Sequence, residues 1–518
     1  MRLGRRRPRL LLVNPSRQNR YNWDLLEMCR AMSRRTATHP LALPLLASLT
    51  PRHWRTELVD EEIAPLGATH RPRPDLVGLT ALVSNAPRAF ELAARFRAQR
   101  IPVVMGGPYV TTNVDEALRH ADAVVVGEAE LVWPRCLADF EAGKLERRYQ
   151  AEEWTAFRHS PVPRWDLVDT SKILTCGVQV SRGCPNQCDF CLVRKLVGRK
   201  QRYRELDDVM AEIRAVPVKQ IAFSDDNLTA NRRYARALFT RLRPLRLSWS
   251  CQAAVDGVLD RGLVALMAQS GCESVLIGFE SLDRSSLAEA CKSQNAVERY
   301  EEAVANLHEA GIHVLGSFVV GFDADTLETF DRIYDFVHRA GLSYVMLNTL
   351  YAYPGSDLHA RLAAEGRLTP LVTDLANGMV PVSRFKHMTQ AEMFSKLLAT
   401  LERLYSYEDL LPRALRVLGS GSFARARVAP IGAGAKVRAT LDLVGRHLLS
   451  ADPHARKLFL SLFELVRQNK VNPGVVVPYL LMVRSVRGYL ASVRKDADTI
   501  IRLLAGNELP GSVPAVGA

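Results

Sequence analysis

Over the first 150 positions apolar residues fall in short unbroken runs, separated by stretches where they recur every third or fourth residue. Residues 10–13, 56–59, 76–79, 103–105 and 123–126 are too short for helices and mostly apolar, 56–59 only through Leu58 and Val59. Strands of that kind are buried on both faces, as in parallel sheets. Helical spacing returns over 86–99 and 114–119. Strand–helix alternation predicts a doubly wound α/β sheet, whose ligands lie outside the carboxyl ends of the strands. Those ends carry Asn14, Asp60-Glu61, Thr80, Gly106-Gly107-Pro108 and Gly127-Glu128. Glycine lets backbone approach a ligand closely. Tight turns explain the same residues, so this pattern alone names no ligand.

A second strand–helix series begins at Ile173. Its strands are read at 173–180, 220–223, 247–250, 274–279, 313–319 and 344–350, with helices over 231–242, 259–269, 297–310 and 326–339. The stretch 151–170, with Pro161, Pro163 and two tryptophans, reads as a linker. Beyond about residue 375 only helical periodicity remains, over 392–404, 437–449, 454–468 and 476–493. The Gly/Ala/Ser-rich stretch 419–434 reads as a flexible loop, and a disordered tail is expected from about Leu509. The expected domains are therefore 1–150, a linker at 151–170, 171–375 and a helical region at 376–518.

A net charge of +14 allows anionic partners, but the arginines are spread along the chain rather than gathered in one stripe. No nucleic-acid recognition module is visible. The apolar run behind Arg5-Arg6-Arg7 ends at Asn14-Pro15, too short for a signal segment. No run approaches bilayer length; 475–483 contains Pro478. The expectation is a cytoplasmic protein, with peripheral membrane contact left open.

The chemistry is concentrated in Cys184-Pro-Asn-Gln-Cys188-Asp-Phe-Cys191, directly after the first strand of the second series. Four thiolates ordinarily close a four-iron cluster, and three leave one iron open to a ligand. A zinc site would require a fourth Cys or His at a recognisable spacing, which the sequence lacks. The triplet, with Phe190 before its last cysteine, resembles the signature of radical S-adenosylmethionine (SAM) enzymes. The resemblance implies a partial (β/α)6 barrel and a [4Fe-4S] cluster on Cys184, Cys188 and Cys191. The open iron would chelate SAM, which yields a 5′-deoxyadenosyl radical on reduction.

Barrel enzymes work at the carboxyl ends of their strands. The second strand is followed by Asp225-Asp226-Asn227, acceptors suited to an ammonium or ribose, although one of them could cap a helix. The fourth ends in Glu280, able to meet SAM or to pair with a barrel cation. The fifth, from Gly316 through Gly321 to Asp323, resembles the family's G-x-I-x-G-x-x-E segment, with the acidic residue arriving early. Phe190, Asp225, Asp226, Asn227, Glu280, Gly316 and Gly321 are thus the expected SAM contacts. Cys176, Cys251, Cys272 and Cys291 read as core filler.

The doubly wound domain ahead of this core resembles the cobalamin-binding radical SAM family, over about residues 9–375. The details include Leu41-Ala42-Leu43-Pro44, Asp75-Leu76-Val77-Gly78 and Ser181-Arg182-Gly183-Cys184-Pro185, and look closest to the hopanoid C-2 methylase branch. The resemblance implies cobalamin contacts from Asn14, Glu61, Thr80, Gly106, Gly107, Gly127 and Glu128. The D-x-H-x-x-G motif of many cobalamin domains is absent. The implied reaction takes hydrogen from an unactivated carbon and delivers a methyl group from methylcobalamin. Its substrate would be a lipid or secondary metabolite, with flavodoxin or ferredoxin supplying electrons. The alternatives are a radical SAM enzyme that does not methylate, and a non-catalytic cofactor-binding module. A methylthiotransferase would need three further cysteines in the first domain, which holds only Cys29 and Cys136.

Overall fold

The computed structural model describes residues 7–17, 25–369, 378–426, 428 and 433–506. The expected tail from Leu509 and residues 427 and 429–432 of the loop expected over 419–434 lie outside the described residues, while Ser422–Arg425 within that loop form a 3-10 turn. The chain forms two compact units. One comprises 1–20, 35–185 and 192–218, and the other 21–34, 186–191 and 219–518.

In the first unit the strands are β1 (Arg9–Asn14), β2 (Arg55–Asp60), β3 (Leu76–Thr80), β4 (Val103–Gly106), β5 (Ala123–Val126) and β6 (Arg148–Gln150). They form one parallel sheet in the order β2-β1-β3-β4-β5-β6. All five strands read from the sequence are present: β1, β3, β4 and β5 bury side chains on both faces, while β2 is an edge strand and stays partly exposed. Leu11, Val13, Val77 and Met105 pack under helix Ala86–Ala98 through Ala89, Leu92 and Phe96. Leu10, Leu12, Leu76 and Val104 face Leu43, Trp133 and Leu137 on the opposite side. Alternate residues thus feed two separate cores. Strand order reverses between β1 and β3, the switch point where such sheets open a crevice.

Helix Ala42–Leu49 was not read as a helix from the sequence. Pro44 looks like a breaker, but within the first turn its missing N–H costs no intrahelical bond. The unit continues with β7 (Cys176–Val178), then β8 (Ser181–Arg182) and β9 (Arg202–Tyr203), which pair antiparallel. The strand expected over 173–180 is thus shorter than read.

In the second unit β10 (Gln220–Phe223), β11 (Ser248–Ala253), β12 (Cys272–Glu280), β13 (His313–Val320) and β14 (Tyr344–Thr349) are parallel and adjacent in chain order. Sequential neighbours joined by helical crossovers are barrel topology rather than a reversing sheet. On β13, Val314, Phe318 and Val320 are buried while Leu315, Ser317 and Val319 are only half-buried. The buried face carries an aromatic stack in which Phe279 lies 5.4 Å from Phe318 and meets Phe336 edge-on at 5.8 Å.

The helical region follows the predicted periodicity, with helices Gln390–Leu404, Ala433–Leu443, Pro453–Arg467 and Pro473–Leu504. Thr389 and Glu392 form a capping box on the first of these. Helix Tyr407–Leu418 is additional, and runs through Pro412. Among the described residues no helix is long and apolar enough to cross a membrane.

Candidate active site

A cavity of about 350 Å³ opens at the carboxyl ends of β3, β4 and β5 in the first unit. Its walls are apolar: Leu12, Val104 and Val125 from the sheet, Leu43 and Leu46 from the proline-bearing helix, and Trp133. Thr80, Gly106, Gly107, Gly127 and Glu128 all line it. Gly107 has φ of 104°, and a Cβ there would stand 2.8 Å from the Ala81 carbonyl oxygen. Gly127 has φ of 76°, and a Cβ there would meet no protein atom within 4 Å. The backbone therefore borders open space that a side chain at Gly127 would enter, and this half-open apolar mouth can receive part of a flat apolar-edged guest such as a corrin.

One corner of this cavity is charged. Arg182, on β8, lies 2.5 Å from Glu130 and 3.4 Å from Glu128, with its guanidinium 4.2 Å over the Phe157 ring. Arg202 grips both oxygens of Glu128 at 2.7 and 2.8 Å, and the Thr155 amide donates to the same carboxylate at 2.8 Å. Burial pushes the Glu128 carboxyl up, but the Arg202 hydrogen bonds and the two arginine charges outweigh it and leave the pKa lowered. Asn14 and Glu61 are not among the described residues of this wall. Asn14 donates to Asp60 at 2.8 Å, and Asp60 also meets His39 at 2.5 Å. Glu61 takes Arg88 at 2.8 and 2.9 Å together with the amides of Ser16 and Leu66. Both residues tie the ends of β1 and β2 to neighbouring loops.

The cysteine segment begins in the first unit and enters the second after Pro185. Cys184 is half-buried and its amide donates to Gly198 O at 3.3 Å. Gly183, at φ of 90°, precedes it where a Cβ would lie 2.5 Å from the Lys200 carbonyl oxygen. In the second unit Cys188 is buried, with the Gln294 amide nitrogen 3.9 Å from its sulfur. Burial pushes this thiol up while the Lys292 charge draws it down. Asp189 anchors the loop: its amide donates to Ala290 O at 3.3 Å and its carbonyl accepts from Leu358 N at 3.0 Å. Phe190 packs edge-on to Phe322 at 6.4 Å, within an apolar cluster holding Leu350 and Leu358. None of the nine cysteines forms a disulfide, and Cys291 is exposed rather than core. Among the described residues no three His, Cys, Asp or Glu are grouped for a metal ion. The fit to a cluster rests on the donor chemistry: three thiols outside any disulfide in one short segment, with the Lys292 charge acting on Cys188.

At the end of β12 the register slips between Gly278 and Glu280, and Glu280 has φ of 61°. A bulge and a left-handed non-glycine residue are costly and cluster at functional sites. Here Asn295 holds them by donating to Gly278 O and Phe279 O at 2.9 and 2.8 Å, and Lys292 pairs with the Glu280 carboxylate. A Cβ on Gly278 would lie 2.8 Å from the Lys292 nitrogen. Lys292, Gln294 and Asn295 were missed in the sequence because they sit on an aperiodic connector.

After β10, Asp225 is fully buried. Asp226 keeps exposed surface, yet enclosing protein withholds water and pushes its carboxyl up to about 6. Asn227 accepts from Thr229 and from the Ala254 amide, bracing its loop. After β13, Asp325 accepts from the amides of Gly321 and Phe322 at 2.8 and 3.0 Å, while Asp323 pairs with Arg367 and Lys386. Asp325 is therefore the acidic residue that closes on this strand end. Gly321 has φ of 128° and sits against the Phe385 ring, and a Cβ on Gly316 would press on Leu342 and Phe279.

The two units thus present a reversing parallel sheet with an apolar cavity, and a barrel-type sheet approached by a three-cysteine loop. Residues 178–337 match the model of the radical SAM superfamily, and residues 30–137 match that of the B12 binding domain. The bacteriochlorophyllide d C-12(1)-methyltransferase of Chlorobaculum tepidum is 30% identical over 328 residues, 61% of this chain and 72% of that protein. The hopanoid C-2 methylase of Rhodopseudomonas palustris is 27% identical over 343 residues, 64% of this chain and 65% of that protein. The radical SAM methyltransferase TsrM from Kitasatospora setae, solved with cobalamin and a [4Fe-4S] cluster, has the same fold. Its TM-score is 0.58 at 14% identity, covering 93% of this chain and 99% of that one. The chain belongs to the radical SAM superfamily, in the group that carries a B12-binding domain. It is a cobalamin-dependent radical SAM methyltransferase, with a [4Fe-4S] cluster, SAM and cobalamin as cofactors.

Proposed function

We propose that the protein transfers a methyl group to an unactivated carbon of an extended apolar small molecule, a lipid or a secondary metabolite. The observation that carries this reading is the cavity bordered by Gly106, Gly107 and Gly127, which supports a bound corrin, the methyl carrier that this reading needs. When bound, the cluster and SAM supply a radical able to take hydrogen from such a carbon, and cobalamin supplies the methyl group. The protein's share is to hold, orient and shield.

In this reading Cys184, Cys188 and Cys191 hold the cluster. Glu280 and Asp226 offer carboxylates toward SAM, with Lys292 fixing Glu280. Gly321, pinned by Asp325, offers backbone, and Phe190 stiffens the loop from behind. Asp225, Asn227 and Gly316 shape the surrounding wall. Thr80, Gly106, Gly107, Gly127 and Glu128 face the corrin, while Asn14 and Glu61 brace the strand ends beside it. The segments 1–150, 151–170, 171–375 and 376–518 act as cobalamin domain, linker, radical core and helical cap. A reduced flavodoxin or ferredoxin in the cytoplasm is the electron donor that suits this chemistry.

The test is anaerobic turnover of reconstituted protein with reductant, methyl-labelled SAM and an apolar lipid extract. Equal yields of 5′-deoxyadenosine and S-adenosylhomocysteine, with label in a lipid product, are expected. 5′-Deoxyadenosine without S-adenosylhomocysteine would favour a non-methylating enzyme. Cys188→Ala is expected to abolish 5′-deoxyadenosine formation, and undiminished formation would contradict the cluster assignment.

A further inference from the structure

Large apolar side chains are concentrated on the outer surface of the helical region. Along helix Ala433–Leu443 and the π-turn Val444–Leu448, Val437, Leu441 and Leu448 are exposed on one stripe, and Leu449 beyond it is 78% exposed. On helix Pro453–Arg467, Leu460 and Phe463 stand exposed at 52% and 62%. Neither helix is short of a core. The first turns Ala439, Leu443 and His447 inward and packs on helix Pro473–Leu504. The second buries Ala455, Leu458, Leu462 and Leu465 and packs on helix Tyr407–Leu418. The apolar stripes are therefore additional to the faces that fold the unit. Exposed apolar clusters of this kind mark interaction surfaces.

The charge around them selects the partner. Residues 437–470 contain six Lys and Arg against three Asp and Glu. Arg446 and Arg467 are matched by Asp442 and Glu464. Arg438, Arg456, Lys457 and Lys470 have no ion pair among the described residues. Along helix Pro453–Arg467 the exposed positions run Arg456 and Lys457, then Leu460, Phe463 and Arg467, with cations at both ends of an apolar centre. A second copy of the chain would bring the same excess of cations against itself, which an isologous contact cannot neutralise. An anionic bilayer surface matches both features, since headgroups take the cations and acyl chains take the leucines and phenylalanine.

The geometry points to helices Ala433–Leu443 and Pro453–Arg467 as a docking surface for an anionic lipid bilayer. The contact is interfacial, because no described helix can span. It stands on the exposed helix faces and does not depend on the identity of the methylated substrate.

The experiment is co-sedimentation of the full-length, cofactor-loaded protein with large vesicles, either phosphatidylglycerol mixed with phosphatidylcholine or phosphatidylcholine alone. Binding to the anionic vesicles, weaker at high salt, is expected. Leu441→Glu/Phe463→Glu should lower the partition by about tenfold or more. Arg456→Gln/Lys457→Gln should lower it less and flatten the salt dependence. Circular dichroism melting should be unchanged in both variants, since these side chains are exposed. Absence of sedimentation with anionic vesicles, or equal sedimentation of Leu441→Glu/Phe463→Glu, overturns the proposal. So does a concentration-dependent dimer that this variant abolishes, which would assign the surface to a second copy.

Discussion

At the scale of single residues, the cavity depends on side chains that are missing. Gly127 combines a left-handed backbone with an empty Cβ position. Asparagine tolerates positive φ better than other substituents, so Gly127→Asn separates strain from occlusion. It should keep the melting temperature within a few degrees while weakening cobalamin retention by about tenfold, read by gel filtration and corrin absorbance. Asp226 and Asp325 have pKa values shifted upward, opposite to the carboxylates here that are paired with arginine. Burial raises both from 3.8 to about 6, so the folded chain holds protons that the unfolded chain releases. Their contribution is fully present below about pH 4 and is lost as pH rises through about 6. Asp226→Asn should flatten the melting temperature against pH across that window, and an unchanged slope would place the titration elsewhere. The place of Glu280 at the end of β12 was legible, because an apolar run ends there, and the cysteine spacing marks Cys188. Lys292 and Asn295 were not legible, since their value comes from a bulge at Phe279 that no local pattern encodes. Asp323 was read as the acidic residue of its segment, yet Asp325 reaches the strand end because the turn after Gly321 folds back by two residues.

At the scale of elements, strands buried on both faces were read with their ends displaced by only a few residues, for instance 313–319 against His313–Val320. Burial dictates such sequences strongly, whereas helix Ala42–Leu49 was hidden by Pro44 and helix Tyr407–Leu418 by Pro412. The proline-bearing helix matters because, with Trp133, it closes the cavity opposite the sheet. Trp133 is 1% exposed and its indole donates to Thr50 at 3.1 Å. Trp133→Ala should cost about 3–5 kcal/mol in urea unfolding. The same variant should lose cobalamin, since the wall and the core share this side chain. Loss of stability with normal corrin retention would separate the two.

At the scale of the whole molecule, each unit supplies a different requirement of methyl transfer. The first provides a half-open apolar cavity with one charged corner, and the second provides strand-end carboxylates, a strained bulge and the loop that carries Cys188 and Cys191. Family membership was legible from the cysteine spacing and the strand–helix rhythm together. The exposed apolar stripes of the helical region were not, because helical periodicity cannot tell an exposed apolar stripe from a buried one. The central claim is that one chain holds both a cluster and a corrin. Its most direct test is an anaerobic ultraviolet–visible spectrum of protein reconstituted with iron, sulfide and cobalamin, freed of unbound cofactor and recorded before and after dithionite. The account predicts an iron–sulfur shoulder that bleaches on reduction together with corrin bands that stay with the protein. Corrin bands lost on gel filtration, with the shoulder intact, would contradict it.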